Sequence, residues 1–165
     1  MKFIQVRKAL DAAYALLPPN MKSREADICV FAFGYQESSF EARRQIIKKN
    51  GKLVPEGPAV SWWQMEKGGG VKGVLNHAAS KAHAIKVCAA RGVAPTPDAV
   101  WAAMQTDDVL GAAFARLLIY TNPHRLPKVG DSHAAWALYL NEWRPGKPKP
   151  EKWPISYKVG MENAA

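Results

Sequence analysis

Tyr35-Gln36-Glu37-Ser38-Ser39-Phe40, a basic insert from Arg43 to Pro58, and Ala59-Val60-Ser61-Trp62-Trp63-Gln64-Met65 form the stretch that decides how this chain folds. Ahead of it, Ile28, Phe31 and Tyr35 recur on one helical stripe with Val30 and Phe33 beside it, which predicts an apolar helix delivering Glu37 at its end. Ser23 suits the N-cap of that helix, and Glu25 its first turn, where the helix dipole favours an acid. Glu37 therefore arrives on a core-facing side. Aromatic and aliphatic neighbours disfavour a charged carboxylate and raise its pKa, which is what a general acid needs near neutral pH. The competing reading, a surface glutamate in a last helical turn, is the commoner fate of a Glu, and the apolar surroundings weigh against it here.

Working outward, Asn50-Gly51 between Ile46-Ile47 and Leu53-Val54 signals a small β-hairpin inside the insert. Gly57-Pro58-Ala59 then turns the chain back toward Glu37. Gln64 has the donors and acceptor to bond a substrate amide or position the acid, and Trp62 and Trp63 offer flat faces for sugar rings. Of two adjacent tryptophans, one is expected to fill the core and the other to meet substrate. Upstream, Phe3, Val6, Leu10, Ala13 and Leu17 mark a first helix over residues 2–17, stopped by Pro18-Pro19.

Downstream, Gly68-Gly69-Gly70 is a flexible break, not a phosphate loop, since no Gly-Lys-Ser/Thr follows. Val71, Val74, Leu75, Ala78, Ala82, Ile85 and Ala89 keep helical spacing up to Gly92, predicting one long helix with His77 and His83 toward solvent or the core edge. Thr96-Pro97-Asp98 starts a helix with Trp101 and Met104 as its contacts, and Thr106-Asp107-Asp108 opens another with Leu110, Phe114, Leu117 and Leu118 in the core. Asp131-Ser132 caps a last helix carrying Trp136, Tyr139, Leu140 and Trp143. Two readings of Tyr139 stay open: a hydroxyl bonded to Glu37 or to a reacting oxygen, or an ordinary core tyrosine with its tip at the surface. From Arg144 to Lys158 the chain repeats Lys and Pro at a density that predicts no helix.

At 165 residues the chain suits a single domain able to bury a core without disulfides or metal. A hydrophobic share of 48% excludes a disordered protein, and the scarcity of β-branched runs favours a mainly α fold with at most a small hairpin. No apolar run is long enough for a membrane span. Arg7, Lys8 and Asp11 interrupt what would be a signal peptide's apolar region, so export by that route is not expected. Cys29 and Cys88 read as buried free thiols in a reducing compartment, with a bridge between them as the minority alternative, and the four histidines show no ligand spacing. No metal or other cofactor is expected. A net charge of +9 suits polyanionic partners, whether nucleic acid, anionic lipid or a bacterial envelope.

Three short blocks together resemble a family. Glu37-Ser38 at a helix end, the turn into Gln64-Met65, and Ala137-Leu138-Tyr139-Leu140-Asn141 are similar to the Glu-Ser, Gly-Leu-Met-Gln and Ala-Tyr-Asn segments of soluble lytic transglycosylases and goose-type lysozymes, in the same order. They span the middle two-thirds of the chain. Ser61 stands where that family has Gly, Trp62-Trp63 replace smaller residues, and Leu140 separates Tyr139 from Asn141. The resemblance implies a lysozyme-like, mainly α domain over 1–165, with 144–165 as a tail packed on it. It also implies Glu37 as catalytic acid and base, with Ser38, Ser61, Trp63, Gln64 and Tyr139 holding substrate.

By the same resemblance the substrate is bacterial peptidoglycan, cut between N-acetylmuramic acid and N-acetylglucosamine. A glycosidase normally uses two carboxylates. Glu41, Glu56 and Glu66 are the candidates for a second, and none has surroundings that specify a role. That fits a lytic transglycosylase working with one Glu, although a hydrolytic muramidase of the same specificity stays open. Small size, basicity and lack of a signal resemble a phage endolysin: a monomer held in the host cytoplasm until it reaches the wall, with its basic surface free to meet an anionic outer membrane. A virion-borne lytic protein is compatible too. The rival from another class, a basic nucleic-acid- or wall-binding protein without activity, predicts a basic stripe, whereas Lys and Arg are scattered, so nucleic acid is not expected as partner.

Overall fold

The computed structural model describes Met1–Ala165. Its chain is mainly α: eight α-helices and two short antiparallel hairpins. Helix α1 (Lys2–Tyr14) buries Val6, Ala9, Leu10 and Ala13, and a turn after it keeps Leu17 buried short of Pro18-Pro19. In α2 (Arg24–Ser38) the Ser23 hydroxyl accepts the Ala26 N–H at 3.1 Å, as an N-cap should. Every residue of α2 from Ala26 to Gly34 is buried, so the helix is enclosed on all sides, where the spacing had predicted a stripe with a flank. The one charge in that buried run, Asp27, accepts from Arg7 Nη1 at 2.6 Å, Tyr14 Oη at 2.7 Å and the Ala165 N–H at 2.9 Å. A buried carboxylate needs such partners, and these three tie α1 and the C-terminus to α2.

The predicted hairpin forms. β1 (Ile47–Lys49) pairs with β2 (Lys52–Val54), Ile47 opposite Val54, around Asn50 and Gly51, both at positive φ as a tight two-residue turn demands. β3 (Ala59–Val60) and β4 (Met65–Glu66) make the second hairpin and return the chain to α2.

The single long helix expected up to Gly92 is broken. A π-helical turn (Lys67–Val71) and α3 (Lys72–Asn76) lead to an interruption at His77–Ser80, followed by α4 (Lys81–Arg91). The Ser80 hydroxyl donates to Val74 O at 2.7 Å, taking the acceptor that a continuing helix would offer to Ala78 N–H, and His77 Nδ1 accepts the Ala79 N–H at 3.0 Å. The break resets the phase: Ala78, Ala82, Ile85 and Ala89 are exposed, and Ala84, Val87 and Cys88 face the core.

Helices α5 (Pro97–Met104), α6 (Asp108–Tyr120) and α7 (Ser132–Trp143) start at the expected caps, Thr96, Asp107 and Asp131, each accepting a backbone N–H three residues on. The C-terminal segment departs from expectation. After a 3-10 turn (Pro150–Lys152) it forms α8 (Trp153–Asn163), the last helix of the chain in place of α7. Pro145, Pro148 and Pro150 precede that helix, and Pro154 sits in its first turn, where the missing N–H has no intrahelical acceptor anyway. Trp153, Tyr157 and Val159 are buried along α2. At Gly160 a Cβ would lie 2.5 Å from the Ile28 carbonyl oxygen, so the two helices touch backbone to backbone. One contiguous core joins α1 to α8, Cys29 and Cys88 are buried and unbridged, and no helix is long and apolar enough to cross a membrane.

Candidate active site

The C-terminal end of α2 opens into a cleft of about 1210 Å³ walled by the β3–β4 hairpin, the π-helical turn, α3, α7 and the segment before α8. Glu37 lies in its lining, on the last turn of α2. Burial pushes its carboxyl up from 4.5 to about 7, against the opposing pull of a Tyr139 hydrogen bond and of the Lys152 and Lys149 charges. The Tyr139 hydroxyl donates to Glu37 Oε1 at 2.5 Å and is that carboxylate's one hydrogen-bond partner, leaving Oε2 without a protein partner. Of the two readings of Tyr139, the bonded one is the structure's. Its ring is fixed by Phe33 at 5.4 Å, Trp136 at 5.2 Å and Trp153 at 6.1 Å between centroids, and burial and the adjacent carboxylate push its own pKa far up, so it stays a donor.

The end of α2 and the β3–β4 turn are tied together. Ser39 and Phe40 take left-handed φ values of 53° and 55°, turning the chain sharply out of the helix. The Ser38 hydroxyl donates to Trp62 O at 2.7 Å and accepts the Phe40 N–H at 3.1 Å. Ser38 lines the cleft, but its hydroxyl braces the β3–β4 turn and does not touch Glu37. Gln64 also lines the cleft, with φ 49°, and its Nε2 donates to Ser61 O at 2.8 Å.

Two expected substrate contacts are displaced. Trp63 is fully buried: its indole N–H donates to Val30 O at 2.8 Å, inside α2. Trp62 is buried as well, under the Arg43 guanidinium at 4.4 Å, so both tryptophans serve the core and neither meets the cleft. The close approach behind this is at Gly34, where a Cβ would lie 2.4 Å from the Phe40 ring and 2.8 Å from Trp63 Nε1. Ser61 is likewise buried, left-handed at φ 68°, with Oγ accepting the Trp63 N–H at 3.1 Å. It shapes the turn that carries Gln64. The same turn is held from the other side by Trp143, whose Nε1 donates to Trp63 O at 2.8 Å.

Among the carboxylates weighed from sequence, Glu41 lines the cleft and pairs with Lys2 at 3.4 Å, Glu66 lines it unbonded, and Glu56 is outside it, paired with Lys49 at 2.7 Å. Sequence reasoning passed over Glu142. It lines the cleft one turn beyond Tyr139, its Oε1 accepting from Asn122 Nδ2 at 3.0 Å and Asn141 Nδ2 at 2.9 Å, with Thr121 Oγ1 3.2 Å from Oε2. The signal was the i, i+3 spacing from Tyr139, which puts both on one helix face. The other omission is Gln36. Its side chain is buried, donating to Lys149 O at 2.9 Å and accepting from Ser156 Oγ at 2.7 Å, while its own carbonyl accepts from Lys152 Nζ at 3.0 Å.

Compared with family models, curated proteins and solved structures, the chain finds no match.

Proposed function

We propose that this protein cleaves the β-1,4 bond between N-acetylmuramic acid and N-acetylglucosamine in bacterial peptidoglycan, with Glu37 as acid and then base. The observation that carries the reading is a carboxyl lifted to about 7 at the head of a large open cleft, held by a single tyrosine hydroxyl. Such a group is protonated for much of its time at neutral pH and can donate to a glycosidic oxygen. In the lytic transglycosylase form of the reaction, Glu37 protonates the leaving O4 as the C1–O4 bond breaks. The substrate's acetamido oxygen supports C1, the Glu37 carboxylate then takes the proton of the muramic 6-hydroxyl, and O6 closes onto C1. Proton balance returns to the start and no water is consumed. Tyr139 holds Glu37 Oε1, so that the proton leaves from one defined oxygen.

Glu142 favours a second reading, a hydrolytic muramidase: it is a carboxylate fixed by Asn122 and Asn141 in the same cleft, available to hold a water. The setting, host lysis by a phage endolysin acting on a Gram-negative wall, rests on the resemblance of the motifs and on the basic charge. Mass spectrometry of soluble fragments released from purified peptidoglycan tests the reading. Anhydro-muramic ends from the wild type and none from Glu37→Gln support the transglycosylase, and reducing muramic ends lost in Glu142→Gln support the muramidase. No fragments from any of them sinks catalysis and leaves a wall-binding protein.

A further inference from the structure

One wall of the cleft carries charge that the reaction does not use. Arg144, Lys147, Lys149 and Lys152 all line it, within nine residues of sequence that include one acid, Glu151. None of the four is in an ion pair, whereas Lys2, Arg7, Lys22, Arg43, Lys49, Lys67, Arg91 and Lys158 elsewhere are paired. Nor is the segment a loose tail. Pro145, Pro148 and Pro150 stiffen it, the Gln36 side chain grips it at Lys149 O and at Ser156, and Lys152 reaches back to the Gln36 carbonyl, its ammonium 5.2 Å from the Tyr35 ring centroid. Gln36 is the residue next to Glu37, so the grip fixes the cationic wall relative to the acid.

Unpaired cations beside a catalytic acid work against it, since Lys149 and Lys152 both favour the ionised form of Glu37. An anion seated among them removes that opposition at the moment substrate is bound. The concave placement selects among anions. A membrane surface is flat and meets charges on a convex face, whereas these face into the cleft that takes the glycan.

We propose, resting on the glycan-cleaving reading, that Arg144, Lys147, Lys149 and Lys152 form a subsite for the carboxylates of the peptide carried on the muramic acid. The occupant is thus an acidic peptide substituent of the substrate itself. The glycan is read by the cleft floor and the peptide by this lip.

The test uses the full chain carrying Glu37→Gln, which binds without cutting, and calorimetric titration with a soluble disaccharide-peptide fragment of peptidoglycan, native or with its carboxylates converted to neutral amides. Native fragment is expected to bind about tenfold more tightly than the amidated one, as two partly exposed charge pairs allow. Adding Lys147→Gln and Lys149→Gln, both at exposed side chains, is expected to weaken native binding by about the same factor and to abolish the discrimination. Equal binding of the two fragments, or discrimination that survives the lysine substitutions, overturns the subsite. Binding of anionic phospholipid vesicles that is lost with the lysines while fragment discrimination stays overturns it in favour of a membrane contact. Digestion of peptidoglycan by the wild type separates the two levels. Fragments released without charge discrimination reject the subsite alone, discrimination without fragments rejects the reaction alone, and neither rejects both.

Discussion

Glu37→Gln is expected to make the protein more stable at neutral pH while removing its activity. In the fold the Glu37 carboxyl holds its proton up to about 7, whereas its ordinary value is 4.5, so between the two the folded chain binds more protons than the unfolded one. Stability contributed by this group therefore falls as pH rises from 4.5, and the whole cost is present above 7. At about 1.36 kcal/mol per pH unit the shift corresponds to roughly 3 kcal/mol, which water in the open cleft reduces to roughly 2 kcal/mol. Gln has the same size, cannot ionise, and offers an oxygen to the Tyr139 hydroxyl, so the substitution removes the cost and keeps the bond. At about 2–4 °C per kcal/mol for a chain of this length, Tm at pH 8 should rise by roughly 4–8 °C, with the difference shrinking toward zero at pH 4. Differential scanning calorimetry at both pH values reads it. A variant no more stable than the wild type at pH 8, or a gain independent of pH, refutes the placement of Glu37 as a partly buried acid.

The rate of wall cleavage should fall as pH rises through about 7, because the step begins with a protonated Glu37, and turbidity clearing of purified sacculi across pH 5–9 measures it. Tyr139→Phe removes a hydrogen bond that holds the Glu37 pKa down, so the descending limb should move to higher pH while turnover drops by on the order of 100-fold, both visible in one pH profile. Trp63→Ala should cost about 3–5 kcal/mol in urea unfolding, against a negligible cost if the ring were a surface sugar platform. Gly160→Ala should cost about 1–3 kcal/mol by driving α8 off the Ile28 carbonyl, seen as a lower thermal midpoint.

Glu37, its helix, the hairpin turn and most helix starts were legible because each is set by neighbours in sequence: the apolar run 28–35 with Ser23 ahead of it, Asn50-Gly51, and the caps Thr96, Asp107 and Asp131. What was misread depended on contacts distant in sequence or on one side-chain hydrogen bond. Nothing local distinguishes a Trp63 that stacks sugars from one whose N–H reaches Val30, 33 residues earlier. Ser61 read as a substrate contact through the motif resemblance, which does not reveal the left-handed backbone that makes it a turn residue. The helix up to Gly92 kept its apolar period through residues 77–80, and only the Ser80 hydroxyl on Val74 O reveals that the period was coincidental past that point.

The proline-rich C-terminus shows why counting helix breakers misleads when their positions are ignored. Pro145, Pro148 and Pro150 all fall before α8, and Pro154 falls in the turn where proline costs nothing, so the residues from Ser156 onward are free to be helical and to pack against α2. That packing bears on the site. A helix enclosed on every side, with Glu37 at its exit, holds the carboxyl where water reaches it only through the cleft, and α8 supplies one of the enclosing walls. The aromatic cluster that fixes Tyr139 and the lysines facing the acid depend on Trp153, Ser156 and Lys152, from the very segment whose prolines had predicted no helix.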